Sequence, residues 1–205
     1  MEYKKGNIES YQRLGFGIGS VFDISQTNLP IELYPTVISE GFGEESEIHK
    51  QFAEYITDFC KQHNIEVKDM NEETVTIRGL ARNDNIIELN PLLNDTGRLS
   101  TLLHEVGHEL LHFSANSNKM SIEQKEIEAD IFSMLMLRRY GFEIPDSRSK
   151  HFVDNYRSLD DKDGKLLQES FDRVMKEYSK TVQLISTEFA EEMHCLLYTS
   201  PSPRD

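Results

Sequence analysis

Two histidines and a glutamate stand close together near the middle of the chain, where His104, Glu105 and His108 form the pattern H-E-x-x-H. The surrounding residues are mostly apolar helix formers without proline, which predicts a helix over about residues 98–113. Histidines four positions apart share one face of a helix, so their ring nitrogens can bind one zinc ion. Glu105 is then placed to take a proton from a water molecule that the metal acidifies. This is the chemistry of a zinc hydrolase.

A third protein ligand must follow, because two histidines leave the metal under-ligated. The extended pattern H-E-x-x-H-x-x-G-x-x-H is not met, since Leu111 and Ser114 stand at its glycine and last histidine positions. A second predicted helix, which Gly141 should end, carries Glu126 and Asp130 on one face. We expect Glu126 to bind the metal and Asp130 to hydrogen-bond the far nitrogen of a ligand histidine.

Other acidic residues of the same segment remain alternatives as the third ligand. Glu128 points about 160° away from Asp130 in helical projection and is ranked below Glu126. Glu123 and Asp130 itself are the other two alternatives. His112 lies one turn beyond His108, but the helix face has rotated by then, so we predict a helix-end histidine.

The two motifs together resemble the ImmA/IrrE family of metallo-endopeptidases. The resemblance rests on H-E-V-G-H-E-L-L-H at residues 104–112 and E-I-E-A-D-I-F at residues 126–132. It covers roughly residues 48–137, and the family signature E-x-x-A-[DN]-x-F also favours Glu126 as ligand. One difference is that L-R-R-Y at residues 137–140 replaces the methionine-proline that often closes the family's second helix. The resemblance implies a zinc endopeptidase with one Zn²⁺ per chain, which cleaves a helix-turn-helix repressor in bacteria or on mobile elements.

A looser resemblance is to the metallopeptidase part of ArdC-type antirestriction proteins. It rests on V-F-D-I-S-Q-T at residues 21–27 and on Y-G-F at residues 140–142. In those proteins the equivalent N-terminal stretch follows a DNA-binding domain. The resemblance therefore implies that this chain starts after such a domain or has lost it.

The resemblance and the residue patterns together predict an α+β, zincin-like fold, in which a small antiparallel sheet packs on the active-site helix pair. β-rich runs at residues 74–78 and 86–90 flank turn-forming residues 81–85, which predicts a hairpin. An amphipathic helix is expected over residues 44–63, and C-terminal helices near residues 147–158 and 163–193. In zincin-type folds an edge strand holds an extended peptide by main-chain pairing. The predicted substrate strand comprises Ile86, Ile87, Glu88, Leu89 and Asn90.

Four segments follow from these expectations. Residues 1–43 form an N-terminal strand and loop extension, residues 44–145 the metallopeptidase core, and residues 146–194 a C-terminal helical extension. Residues 195–205, C-L-L-Y-T-S-P-S-P-R-D, back-translate to the transposase adapter of sequencing libraries. We therefore interpret this last segment as an assembly artefact rather than protein.

The composition of the chain limits its possible binding partners and its cellular compartment. A formal net charge of −14 at pH 7 argues against DNA binding, which depends on clustered lysine and arginine, and the densest cationic run is only Arg138-Arg139. No apolar stretch is long enough for a membrane span, and the N-terminus lacks the apolar region of a secretory signal. With two cysteines and no such signal, we expect a cytoplasmic protein without a disulfide framework. Cys60 lies on an apolar helix face and is interpreted as an inert buried thiol.

The main alternative is a non-enzymatic, acidic antirestriction or interaction protein with a structural metal site. Glu105 distinguishes the two hypotheses, because a structural zinc site is usually fully ligated by protein and has no use for an extra carboxylate. Hydrolysis also needs a group that stabilises the oxyanion. The sequence leaves this role open among Tyr140, Tyr156, Tyr178 and His151.

Overall fold

The computed structural model describes residues 46–71, 77–113 and 120–188, which all belong to one compact unit spanning residues 35–205. The other compact unit, residues 1–34, lies outside the described residues, together with the predicted N-terminal strand and loop. The motif at residues 21–27, the run 74–76 of the predicted hairpin and the residues from 189 onward lie outside them as well.

The described residues form five helices and three strands, so the fold is α+β, as predicted. In chain order they are α1 Glu47–Gln62, β1 Glu66–Asp69, β2 Gly79–Arg82, β3 Ile86–Leu89, α2 Asp95–His112, α3 Ile122–Arg139, α4 Asp146–Ser158 and α5 Lys165–Glu188. None of these helices combines the length and the apolar character that a membrane span requires.

The sheet is mixed, so the prediction of an antiparallel sheet was wrong. Its strand order is β1-β3-β2, with β1 parallel to β3 and β2 antiparallel to it. The hairpin exists, but within the described residues its first strand is Gly79–Arg82, and Ile77 and Arg78 lie just before it. β1 was not predicted, because its short sequence E-V-K-D shows no apolar alternation. Only Val67 of this strand is partly buried.

β3 is the central strand of the sheet. It pairs with β1 along one side and with β2 along the other, over all four of its residues. Beyond it, the backbone N–H of Asn90 donates to the carbonyl of Arg78 at 2.8 Å. Main-chain pairing with a substrate needs a free edge, so the expectation that residues 86–90 form an edge strand was wrong. Among the described strands, β2 and β1 are the edges.

Local signals set the ends of the two central helices. The side chain of Asn94 accepts a hydrogen bond from the backbone N–H of Gly97 at 2.8 Å, which starts α2 three residues earlier than predicted. Ser121 accepts from the N–H of Gln124 at 3.2 Å and starts α3. α3 ends where Gly141 adopts a φ of +82°, and the N–H of Phe142 returns to the carbonyl of Leu137 at 2.9 Å.

α2 and α3 pack closely enough to share one site. At their contact, a Cβ added to Gly107 would lie 3.0 Å from Cα of Ala129, so the two backbones approach through a glycine and an alanine. This close approach brings the acidic face of α3 towards the histidine face of α2. A larger residue at position 107 would force the helices, and the side chains they carry, apart.

One hydrophobic core joins all five helices to the sheet. Its fully buried side chains come mainly from α1, β3, α2 and α3, and α5 adds Val174 and Ile185. Cys60 of α1 is part of this core and is completely buried, and burial raises the pKa of its thiol to about 12. A thiol held in that state is a poor nucleophile, which agrees with its interpretation as inert.

Candidate metal centre and active-site cleft

Three side chains from α2 and α3 converge on one point. Nε2 of His104 and Nε2 of His108 are 3.1 Å apart. The carboxylate oxygens of Glu126 lie 3.2 Å from Nε2 of His104 and 3.5 Å from Nε2 of His108. Within the described ranges this is the one group of three such residues close enough to hold a metal ion.

The spacing of these atoms can be tested against the geometry of zinc. Bonds of about 2.0–2.1 Å at tetrahedral angles separate two ligand atoms by roughly 3.3–3.4 Å. The 3.1 Å separation of the two Nε2 atoms and the 3.2 Å separation of Nε2 of His104 from Oε2 of Glu126 lie near that value. The 3.5 Å separation joins Nε2 of His108 to the other carboxylate oxygen, Oε1, so it is not an edge between the same ligand atoms. Two imidazoles and one carboxylate also match the ligand types of catalytic zinc sites, which leave a fourth position for water or substrate. The residues present therefore fit a zinc ion.

Asp130 lies behind His104. Its Oδ1 is 3.0 Å from Nδ1 of His104, and its side chain is completely buried. Arg148, from the start of α4, donates to the same oxygen at 2.7 Å and to the backbone carbonyl of Ser100 at 3.2 Å. Burial opposes ionisation of Asp130, but hydrogen bonds from His104 and His151 and the charge of Arg148 hold its pKa well below the usual range. The carboxylate is thus charged at neutral pH.

Two of these contacts compete for the same nitrogen of His104. Arg148 lies 2.8 Å from Nδ1, and that atom also faces Asp130. Because Nε2 faces the other metal-binding atoms, a neutral His104 keeps its proton on Nδ1 and donates it to Asp130. The guanidinium therefore hydrogen-bonds Asp130 and not the ring of His104, and it fixes the carboxylate that orients this ring.

Glu105 lines the cleft that opens over these side chains, and only 6% of its surface is exposed. The backbone of β2 passes directly over it at Gly79. A Cβ added at Gly79 would lie 2.6 Å from Oε1 of Glu105 and 2.6 Å from Cγ2 of Thr101. Only glycine lets the strand approach the Glu105 carboxylate this closely.

The other acidic residues of the motif lie elsewhere. Glu128 does not face the three convergent side chains; it hydrogen-bonds His112 at 3.2 Å and pairs with Arg173 of α5. Glu123 lies in the first turn of α3. His112 is 5% exposed, so the prediction of an ordinary helix-end histidine missed that it is buried against an acidic partner. Burial lowers the pKa of its ring, although Glu128 opposes that shift.

A cleft of about 970 Å³ opens over these groups. It is lined by β2 and the residues before it, by the exposed ends of α2 and α3, and by the start of α4. The lining includes Ile77, Arg78, Gly79, Leu80, His104, Glu105, His108, Phe113, Ile122, Lys125, Glu126, Arg148 and His151. Residues 86–90 do not line it, which agrees with their central place in the sheet.

The locations of the four candidate residues show which of them could reach an oxyanion in the cleft. Tyr140 is buried in the hydrophobic core, Tyr178 packs against that core, and Tyr156 stacks on Phe152 with ring centroids 6.3 Å apart. Of the four, only His151 lines the cleft. Its Nδ1 lies 2.8 Å from Oδ2 of Asp130 and its Nε2 lies 3.8 Å from Glu126.

Sequence reasoning missed three residues that shape the site: Arg148, Gly79 and Arg173. The two arginines come from residues predicted as a C-terminal extension, and no periodicity singles them out. Gly79 stands just after the predicted first strand of the hairpin. A glycine beside a strand indicates a close backbone approach, and this pattern could have predicted a role for Gly79.

Comparison with known proteins identifies the family. Residues 60–184, more than half of the chain, match the peptidase family described as the IrrE N-terminal-like domain. An uncharacterized protein of Bacillus anthracis, pXO2-81, is 24% identical over 207 residues, which cover 93% of this chain and 34% of the relative. The chain thus spans about a third of that relative's length. No solved structure matches the chain.

The family match contains both motifs that carry the candidate metal ligands and extends through α4 and most of α5, which carry Arg148 and Arg173. This agrees with the resemblance that residues 104–112 and 126–132 show. The chain belongs to the ImmA/IrrE family of peptidases, through its IrrE N-terminal-like domain.

Proposed function

We propose that this protein is a zinc-dependent endopeptidase with a zincin-like active site. His104, His108 and Glu126 bind one Zn²⁺, and Glu105 is the general base. The observation that carries the proposal is the convergence of His104, His108 and Glu126, whose facing nitrogen and oxygen atoms lie 3.1–3.5 Å apart, in a cleft that also contains Glu105. A site of this kind serves catalysis better than structure, because three protein ligands leave one position open.

The proposed chemistry is hydrolysis of a peptide bond. A bound zinc ion lowers the pKa of water to about 7 and polarises the scissile carbonyl. Glu105 accepts the proton that water loses as its oxygen bonds to the carbonyl carbon, and then gives that proton to the leaving amine as the C–N bond breaks. Asp130 and Arg148 keep the ring of His104 in the orientation that presents Nε2. His151 faces the cleft beside these groups and is the leading candidate for the oxyanion donor; because its Nδ1 faces Asp130, it would donate from Nε2 as the imidazolium.

The substrate is proposed to be an extended segment of a protein. β2 is an edge strand, lines the cleft and passes over Glu105. An extended peptide paired with β2 would cross the cleft beside the metal-binding residues, so we assign the substrate strand to β2 instead of residues 86–90. From the sequence resemblance to the ImmA/IrrE family, we propose a helix-turn-helix repressor as the target and the cytoplasm as the location. The antirestriction resemblance stays a prediction.

The proposed metal site predicts that each chain binds one zinc ion and that substitution of a ligand releases it. Purified wild-type protein should contain about one zinc per chain, and Glu126→Ala should lose most of it, because two histidines alone leave the ion under-ligated. Inductively coupled plasma mass spectrometry after dialysis against a weak chelator measures both. Glu123→Ala is the matched control, since it removes a carboxylate one turn earlier on the same helix and should leave zinc unchanged.

Two outcomes would count against this site. Equal loss of zinc in Glu123→Ala and Glu126→Ala would mean that helix stability, and not ligation, controls metal binding. Absence of zinc from the wild-type protein would remove the proposed chemistry and favour the acidic interaction protein.

The close approach at Gly79 predicts a second effect. Gly79→Ala should reduce peptide cleavage by about 100-fold while zinc content stays the same, because the new methyl group displaces the Glu105 carboxylate by roughly 1 Å. Steady-state cleavage and metal analysis on the same preparation measure this. Ala81 also lies on β2 and lines the cleft, so Ala81→Gly controls for a general change in this strand and should lose much less activity than Gly79→Ala. Full activity in Gly79→Ala would show that the position of Glu105 does not limit the rate.

A further inference from the structure

The second metal-binding histidine has an unusual partner. Nδ1 of His108 lies 2.9 Å from Nδ1 of His112, one turn further along α2. Nε2 of His112 in turn lies 3.2 Å from Oε2 of Glu128 on α3. Glu128 is completely buried and His112 nearly so. Nδ1 of His104 faces the Asp130 carboxylate directly, whereas Nδ1 of His108 is linked to the Glu128 carboxylate through a second histidine.

The directions of these hydrogen bonds follow from the metal-binding geometry. Nε2 of His108 faces His104 and Glu126, so its lone pair is the one available to a metal. A neutral His108 then carries its proton on Nδ1 and donates it to Nδ1 of His112. His112 must accept at Nδ1, so its own proton is on Nε2 and is donated to Glu128. Each of the two hydrogen bonds, from His108 to His112 and from His112 to Glu128, therefore contains one proton.

α5 anchors the acidic end of this series. Nε of Arg173 donates to Oε1 of Glu128 at 3.0 Å, and its Nη2 contacts the same oxygen. Nη2 also donates to the hydroxyl of Ser170 at 3.3 Å. The other oxygen of Glu128 thus remains directed at His112. The arrangement parallels that of Asp130, where Arg148 holds one oxygen of a buried carboxylate that orients a ligand histidine.

We propose that His112 is a positioning residue for metal binding, which orients His108 through its Nδ1 and is itself oriented by Glu128 and Arg173. The proposal rests on the proposed zinc site. It also accounts for the whole E-I-E-A-D segment: Glu126 binds the metal, Glu128 orients His108 through His112, and Asp130 orients His104. The hydrogen-bonding partners of metal ligands commonly change metal affinity by about 10–100-fold when they are removed.

Two substitutions of similar size separate this role from packing. Asparagine at position 112 places its side-chain oxygen near the position of Nδ1 and keeps an acceptor for His108. Glutamine places its amide near the position of Nε2, which keeps a donor for Glu128 but no acceptor for His108. Asparagine is one methylene smaller than glutamine and leaves more of the buried space empty, so a packing role predicts the larger effect for His112→Asn, which is the opposite order. The dissociation constant for zinc, measured on the full chain by competition with a chromophoric chelator, is the readout.

We expect His112→Gln to weaken zinc binding by about 10–100-fold and His112→Asn by no more than about threefold. The visible absorption of the cobalt(II)-substituted protein should change in His112→Gln and stay close to wild type in His112→Asn. Equal dissociation constants for the two variants would overturn the proposal. So would zinc binding in His112→Gln as tight as in the wild type.

Glu128→Leu tests the same series if the His112 variants fold poorly. Leucine removes the acceptor of the buried His112, whereas the half-exposed Arg173 can turn to solvent, so the metal-free protein should still fold but unfold at a somewhat lower temperature. Zinc binding should weaken by about tenfold. Glu123→Leu on the same helix is the control and should bind zinc as the wild type does. Unchanged zinc binding in Glu128→Leu would contradict the proposal.

Failure of this inference is distinguishable from failure of the proposed function. If the wild-type protein binds zinc and loses it on Glu126→Ala, but His112→Asn and His112→Gln bind it equally, the metal site stands and the positioning role falls. If the wild-type protein binds no zinc, both fall together.

Discussion

Replacing Glu105 with glutamine should reduce peptide cleavage by about 10²–10⁴-fold and leave zinc bound. Glutamine has nearly the same shape as glutamate but cannot accept a proton at neutral pH. Glu105 lines the cleft beside the three side chains proposed to bind the metal and is not one of them, so under this proposal its charge is not needed to hold the ion. Single-turnover cleavage of a protein substrate, with zinc analysis of the same sample, separates the two effects.

Two further variants serve as comparisons for Glu105→Gln. His108→Ala should lose both zinc and activity, because it removes a ligand. Glu109→Gln makes the same chemical change one turn further along α2 and should keep activity. Burial raises the pKa of Glu109 to about 7, so this carboxyl is already partly neutral near that pH. An active Glu105→Gln protein would contradict the general-base mechanism.

Replacing Arg148 with methionine should destabilise the metal-free protein by about 3 kcal/mol. Removal of one partner of a buried ion pair leaves the other charge without compensation, and the Asp130 side chain is fully buried. The lower end of the usual 3–5 kcal/mol range applies, because His104 and His151 still hydrogen-bond Asp130. Urea unfolding with a chelator present measures the change. Arg157→Met, an exposed arginine of the same helix, should change stability by less than about 0.5 kcal/mol.

The pH dependence of this effect has a definite sign. The pKa of Asp130 is lowered in the folded protein, so its ionised form contributes stability above the unfolded pKa of about 3.9. That contribution is lost as the pH falls below 3.9 towards the folded pKa, where the carboxyl takes up a proton. The stability difference between wild type and Arg148→Met should therefore be full near pH 7 and shrink in this acidic range.

A double-mutant cycle with Asp130→Asn checks the assignment of the partner. If Arg148 acts mainly through Asp130, the double variant should be less destabilised than the sum of the single variants, since neither charge remains without its partner. Strict additivity would mean that Arg148 stabilises the fold through its contacts with Ser100 instead.

The sequence by itself determined the local parts of this site. The spacing of His104 and His108 places both rings on one face of α2, and the spacing of Glu126 and Asp130 does the same on α3. Helix periodicity, capping residues and Gly141 set the ends of these helices to within a few residues. These properties depend on neighbours within about one or two turns, which the sequence displays directly.

The tertiary structure decided everything that depends on distant partners. β1 joins the sheet by parallel pairing with β3, and this pairing turns the predicted edge strand into the central one. Arg148 reaches Asp130 from 18 positions away, and Arg173 reaches Glu128 from 45 positions away.

Such contacts form because packing of α4 and α5 against α3 buries the two carboxylates, and a buried carboxylate requires a cation or hydrogen-bond donors nearby. A single sequence shows that the acidic residues exist and share a helix. Only the packed structure shows which arginine and which histidine lie beside each carboxylate.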